Sequence, residues 1–162
     1  MDFRRPRDFA IAVCVVVGAL LCAAPVRADR ATLGPHFGVN FDFDDAFLGL
    51  EGRIDIADVG SSAVLQINPS FSYYFTDNID VFNFSLNFPF EFKIDDSVLR
   101  PMVAPGIGIW HFSNGDSETE LALNLIGGLL FYLDVVEPFV QLRVYVGDGS
   151  GAELMGGVLF RL

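Results

Sequence analysis

Beyond residue 28 the chain contains no cysteine, because its only two, Cys14 and Cys22, precede that point. Disulfide staples and thiolate metal sites are therefore excluded from the rest of it. Basic residues are nearly as scarce. After residue 28 only Arg30, Arg53, Lys93, Arg100, Arg143 and Arg161 remain, and they are scattered. Nucleic acid is excluded as a partner, since a phosphate-binding face needs clustered Lys and Arg. Two histidines, His36 and His111, are too few for a transition-metal centre, and no metal or other cofactor is expected. No apolar run reaches the roughly 20 residues of a spanning helix. No later segment keeps the i, i+3, i+4, i+7 spacing of an amphipathic helix over a useful length.

What is present is oil and acid. Of 162 residues, 52% are hydrophobic and 17 are Phe, mean hydropathy is +0.44, and the net charge is -11. That hydrophobicity excludes charge-driven disorder. Arg4, Arg5 and Arg7 precede an apolar stretch from Phe9 to Ala24, and Val26-Arg27-Ala28 places small residues at positions minus three and minus one of a peptidase cut. Residues 1-28 read as a cleaved secretory signal peptide. Residues 29-162 then form one domain, exported and all-β.

Period-two alternation runs through almost all of that domain. In 81-94, Phe82, Phe84, Leu86, Phe88, Phe90, Phe92 and Ile94 share one face, while Asn83, Ser85, Asn87, Glu91 and Lys93 share the other. Turn-forming residues recur near 44, 60, 77, 96, 115, 135 and 149, which divides the domain into eight strands: 35-43, 47-57, 63-75, 79-94, 98-112, 119-133, 138-146 and 153-162. A strand of about 10 residues plus a tight turn is the repeat of a membrane barrel.

The polar set decides which face meets what. One face carries Glu51, Arg53, Asp55, Gln66, Asn68, Ser70, Ser72, Glu91, Lys93, Gln141, Arg143, Glu153 and Arg161, with acids and bases in rough balance. The other runs as Leu48, Leu50, Ile54; Ile67, Phe71; Leu121, Leu123, Leu125; Leu142, Val144, without one charge. A soluble ligand-binding barrel, secreted rather than inserted, would turn the first face to water. That face is poor in charge for a solvated surface, so it is assigned to a narrow lumen filled by a charge network: Glu51, Arg53, Asp55, Glu91, Lys93, Arg143, Glu153 and Arg161. Tyr73, Tyr74, Trp110, Phe112, Phe131 and Tyr132, near strand ends, are assigned to an interfacial aromatic girdle.

With these features the chain resembles the small eight-stranded outer-membrane barrels of Gram-negative bacteria, the OmpA/OmpX-like group. Arg100-Pro101-Met102-Val103-Ala104-Pro105-Gly106-Ile107-Gly108 is similar to that group's glycine-alternating strand, and Gly156 to Leu162 to its closing strand. The resemblance implies an up-and-down transmembrane β-barrel in the outer membrane, contact with its lipid and lipopolysaccharide, and assembly by the barrel-assembly machinery, which would read Phe160 and Leu162. It implies a structural or lipid-contacting role rather than an enzymatic one. His111-Phe112-Ser113-Asn114 also resembles the His-x-Ser-Asn motif of PagL-type lipid A 3-O-deacylases. That likeness would make Ser113 the nucleophile, His111 its base and Asn114 an oxyanion donor. As residues in their own right, Ser113 and Asn114 read as a turn, with His111 beside the membrane interface.

Overall fold

The structure, a computed structural model, describes residues 30-42, 44-77, 79-114, 116-147 and 150-162, and only the backbone of Asn114, Asp116 and Ser117. The expected leader lies outside the described residues. Nine strand segments follow in order: β1 (Ala31–Asn40), β2 (Asp45–Val59), β3 (Ala63–Tyr74), β4 (Asp80–Asn87), β5 (Phe90–Phe92), β6 (Leu99–Asn114), β7 (Asp116–Phe131), β8 (Val136–Gly147) and β9 (Gly151–Arg161). Each pairs antiparallel with its neighbours, β1 pairs with both β2 and β9, and the sheet closes on itself. Because β4 and β5 are two halves of one stave, lying between β3 and β6, the barrel has eight staves.

The interruption between β4 and β5 falls at Phe88-Pro89, where the sequence predicts one unbroken strand. Proline has no N–H to give a ladder, so a closed sheet accommodates it at an irregularity. The carbonyl of Pro89 still accepts from the Gln66 N–H at 2.8 Å, and the Phe88 N–H reaches the Pro105 carbonyl at 2.8 Å. Side-chain parity survives the break, with Asn87, Pro89 and Glu91 all buried. β1 likewise begins at Ala31 rather than at 35. Pro35 stands inside it, facing outward opposite Leu50, and the ladder to β9 passes over Gly34 and Pro35 without a change of register.

Burial alternates along every long strand, and it does so with the polar set inside. In β3, Gln66, Asn68, Ser70, Ser72 and Tyr74 are buried; in β8, Glu137, Phe139, Gln141, Arg143 and Tyr145 are. Outside, Phe37, Leu48, Leu121, Leu123, Leu125, Val144 and their neighbours stand well exposed. This is the reverse of a soluble barrel. In water, so continuous an apolar surface would aggregate; against hydrocarbon it is the matched surface.

Two irregularities shape the end of the barrel where the described chain starts. A bulge between Asp55 and Ala57 shifts the β2/β3 register and leaves Ile56 as the extra residue. β1 accompanies β2 only as far as Ile54, with one more bond from the Asp55 N–H to the Arg30 carbonyl at 3.0 Å. Residues 56-59 thus overhang, 57-59 paired to β3 and none of the four paired to a β1 residue among those described.

Candidate functional site

The lumen is filled in three tiers. At the end carrying the 41-44 and 75-79 turns, an apolar cluster joins Phe47, Tyr74, Val81, Trp110, Ala122, Tyr145 and Met155. Its rings meet at centroid distances of 4.9 Å (Phe47 to Tyr74), 5.1 Å (Tyr74 to Trp110) and 4.8 Å (Trp110 to Tyr145). Directly below, the carboxylate of Glu153 accepts hydrogen bonds from the Tyr74 hydroxyl, from Asn40 Nδ2 at 3.0 Å and from Arg143 Nη1 at 3.2 Å. Arg143 also donates to Asn83 Oδ1 at 3.2 Å.

The middle tier centres on Arg53. Its Nε and Nη2 donate to Glu51 Oε1 at 2.9 and 2.8 Å, Nη2 reaches Gln141 Oε1 at 3.3 Å, and Nη1 points at Met102 Sδ at 3.2 Å. Its guanidinium also covers the Phe139 ring at 4.9 Å. His36 lies alongside, 3.8 Å from Glu51 and 2.9 Å from the Ser72 hydroxyl. An amide ladder completes the wall: Asn87 Nδ2 donates to Asn68 Oδ1 at 3.2 Å, and Asn124 Nδ2 to Asn87 Oδ1 at 3.1 Å.

At the opposite end, Arg30 donates to Glu91 through both terminal nitrogens (3.1 and 3.0 Å) and to Glu137 at 2.7 Å. Arg100 reaches Glu91 at 2.6 Å, and Arg161 reaches Glu137 at 3.0 Å. All three guanidiniums surround one ring, that of Tyr132, at 5.1, 3.5 and 4.5 Å. Each buried charge is thus held by an opposite one, the condition under which burial of ions is tolerable.

Of the residues assigned to the lumen network from sequence, Glu51, Arg53, Glu91, Arg143 and Glu153 are fully buried in it, and Asp55 and Arg161 are partly buried at its Arg30 end. Lys93 is not. It follows β5, is exposed, and pairs at 2.9 Å with the equally peripheral Asp58. Its strand has ended, so parity no longer fixes its direction. The aromatic girdle also needs correction. Trp110 and Tyr74 are buried inside, Phe112 packs against their cluster, and Tyr132 caps the arginine end; only Tyr73 and Phe131 face outward. Parity settles the matter, since Ile109 and Tyr73 point out and the next residue must point in. The sole tryptophan provides a direct check. Trp110 fluorescence in reconstituted protein is expected to resist quenching by brominated lipids at any depth. Strong quenching would return it to the interface.

Sequence reasoning missed Arg30 and Glu137. Glu137 reads as part of a turn, although counting back by twos from Arg143 and Gln141 through Phe139 assigns it to the inner face.

The His111 group lies on the outside of β6. His111 shares its outward parity with Ile107 and Ile109, and its Nδ1 lies 3.2 Å from the Thr119 hydroxyl. Ser113 is exposed, and the side chain of Asn114 lies outside the described set. Glu118 and Glu120 stand opposite Phe112 and Trp110, on the inward-facing parity of β7. Among the described residues no group of three or more His, Cys, Asp or Glu is placed to hold a metal ion.

Closed on itself, polar within and apolar without, the chain has the architecture of the small eight-stranded outer-membrane barrels. Solved structures of that class share its fold. The N-terminal β-barrel domain of Pseudomonas aeruginosa OprF matches with a TM-score of 0.67 at 18% identity, over 82% of this chain and 97% of that one. Neisserial surface protein A matches at 0.56 and 13% identity, covering 82% and 95%. The outer membrane enzyme PagL matches at 0.53 and 14% identity, covering 81% and 98%. No family model matches the chain, and no curated protein sequence does.

Proposed function

We propose that this chain is an integral outer-membrane protein with a structural, lipid-contacting role and a lumen closed to solute. One observation carries the reading: an unbroken apolar exterior encloses a lumen filled by paired charges, amides and a plug of aromatic rings. An eight-stranded barrel has an interior just wide enough for side chains, and here they occupy it. The end bearing the 41-44 and 75-79 turns would face outward from the cell, with Arg30 and Leu162 at the periplasmic end. β9 presents Phe160 and Leu162 on its outer side, where the assembly machinery would read them.

Fractionation with a heat-modifiability gel tests the reading. The processed protein should sediment with outer membranes and change mobility on boiling. Recovery as a detergent-free, cooperatively melting monomer in buffer would overturn it. In planar bilayers the purified protein should give no resolvable conductance steps, and steady open-channel current would refute the closed lumen.

A second reading, a lipid A esterase, draws on the shared outward face of His111 and Ser113 and on the fold held in common with an outer membrane enzyme. The inward parity of Glu118 and Glu120 weighs against it, because a carboxylate that orients the histidine belongs on the same face. Lipid A from cells making the protein should show the same acyl pattern as lipid A from cells lacking it, and the same again with Ser113→Ala. A lost acyl chain that returns in the Ser113 variant would favour the enzyme.

A further inference from the structure

The periplasmic end holds a cavity of about 510 Å³, lined among others by Arg30, Asp55, Ile56, Lys93, Arg100 and Tyr132. Its composition is unusual in joining both sides of the barrel wall. Arg30 is a lumen residue, whereas Ile56 is the bulged residue of β2, exposed on the overhang that β1 does not accompany. The cavity therefore reaches the stretch of β2 that no described β1 residue accompanies, sideways as well as downward.

Its inner wall has more hydrogen-bond donors than the protein uses. A guanidinium has five N–H donors and an ammonium three. Among the described residues the Arg100 guanidinium makes one hydrogen bond, to Glu91, and otherwise stacks on Tyr132. Among them the Lys93 ammonium also makes one, to Asp58. Arg30 is 94% buried at its side chain, yet its Nε has no acceptor among the described residues. Glu91 already accepts four hydrogen bonds, from Arg30, Arg100 and Gln66, and the donors left over on Arg100 and Lys93 belong to residues that line the same cavity.

We propose that this notch binds the phosphodiester headgroup of a phospholipid from the periplasmic leaflet, its acyl chains remaining outside against the apolar overhang. Arg100 and Lys93 meet the phosphate oxygens, and the positive charge of Arg30 stands behind them. Asp55 and Asp58 stand where an ammonium, as in phosphatidylethanolamine, would be favoured. The lateral opening and the exposed Ile56 distinguish a lipid from a free phosphate, which would need neither. The proposal rests on the outer-membrane reading for its orientation.

The test is native mass spectrometry of the mature barrel in detergent micelles, with phosphatidylethanolamine, diacylglycerol, glycerophosphoethanolamine or inorganic phosphate added. Phosphatidylethanolamine should be retained and diacylglycerol should not. Arg100→Gln should weaken retention roughly tenfold, the usual worth of a charged hydrogen bond. Lys93→Gln, on the exposed rim and harmless to folding, should weaken it about threefold, as for a half-exposed charge. Retention of diacylglycerol, or indifference to both substitutions in barrels that keep their heat-modifiable mobility, overturns the site. Equally tight binding of glycerophosphoethanolamine or phosphate overturns the lipid as its source. These outcomes leave the outer-membrane reading standing, which only fractionation can remove.

Discussion

Leu125→Arg should destabilise the lipid-folded barrel by about 2 to 4 kcal/mol, the cost of a cation near the bilayer midplane on an outward strand position. Leu125 is 62% exposed on β7, midway along the strand and opposite Pro105 and Val144. Val135→Arg serves as the control. Val135 is 69% exposed, but it lies in the turn between β7 and β8, where depth no longer penalises charge. Urea titration of vesicle-folded protein, followed by tryptophan fluorescence, gives both values. Equal effects at the two positions would mean that water, not hydrocarbon, covers the middle of β7.

Glu153→Ala should cost about 3 to 5 kcal/mol, because it strands a buried guanidinium. Arg143 is 0% exposed, and without Glu153 it keeps, among the described residues, Asn83 and a distant Met155 sulfur. The same substitution takes the acceptor from Tyr74 and Asn40. Removing both charges, as Arg143→Met with Glu153→Leu, should restore stability to within about 1 kcal/mol of the native protein, since replacing a buried ion pair by oil is commonly neutral. A double variant as weak as Glu153→Ala alone would show that the hydroxyl and amide partners, rather than the charge, dominate this tier.

The alternation of Phe82 to Phe92 against Asn83 to Glu91 was sufficient to define strands, faces and the barrel, because a side-chain period of two is a property of the backbone itself. Where the backbone departs from that period, the sequence became unreadable. Pro89 interrupts the ladder although the alternation runs straight through it, and Lys93, one residue past β5, inherits a direction from a strand that has already stopped. The lumen assignments of Glu51, Arg53 and Arg143 rest on local parity alone. The grouping of Arg30, Arg100 and Arg161 around Tyr132 depends on four segments far apart in the chain, and no local pattern announces it. Tyr74 and Trp110 differ from expectation for another reason. Their chemistry suits an interface, but the parity fixed by the neighbouring residues outweighs that preference and turns both inward.

Glu137 receives Arg30 from the first stave and Arg161 from the last, and nearby the Leu162 N–H reaches the Ala31 carbonyl at 3.0 Å. β1 and β9, paired here through Thr32 and Arg161, are the described strands farthest apart along the chain, so this junction pays the largest loop-closure entropy and is expected to close in the final stage of assembly. A polypeptide truncated before β8 would leave Arg30 with Glu91 and the more distant Asp55, and the cylinder ajar. The shared carboxylate thus acts as a completion lock: it engages only when β8 and β9 have both joined the sheet beside β1.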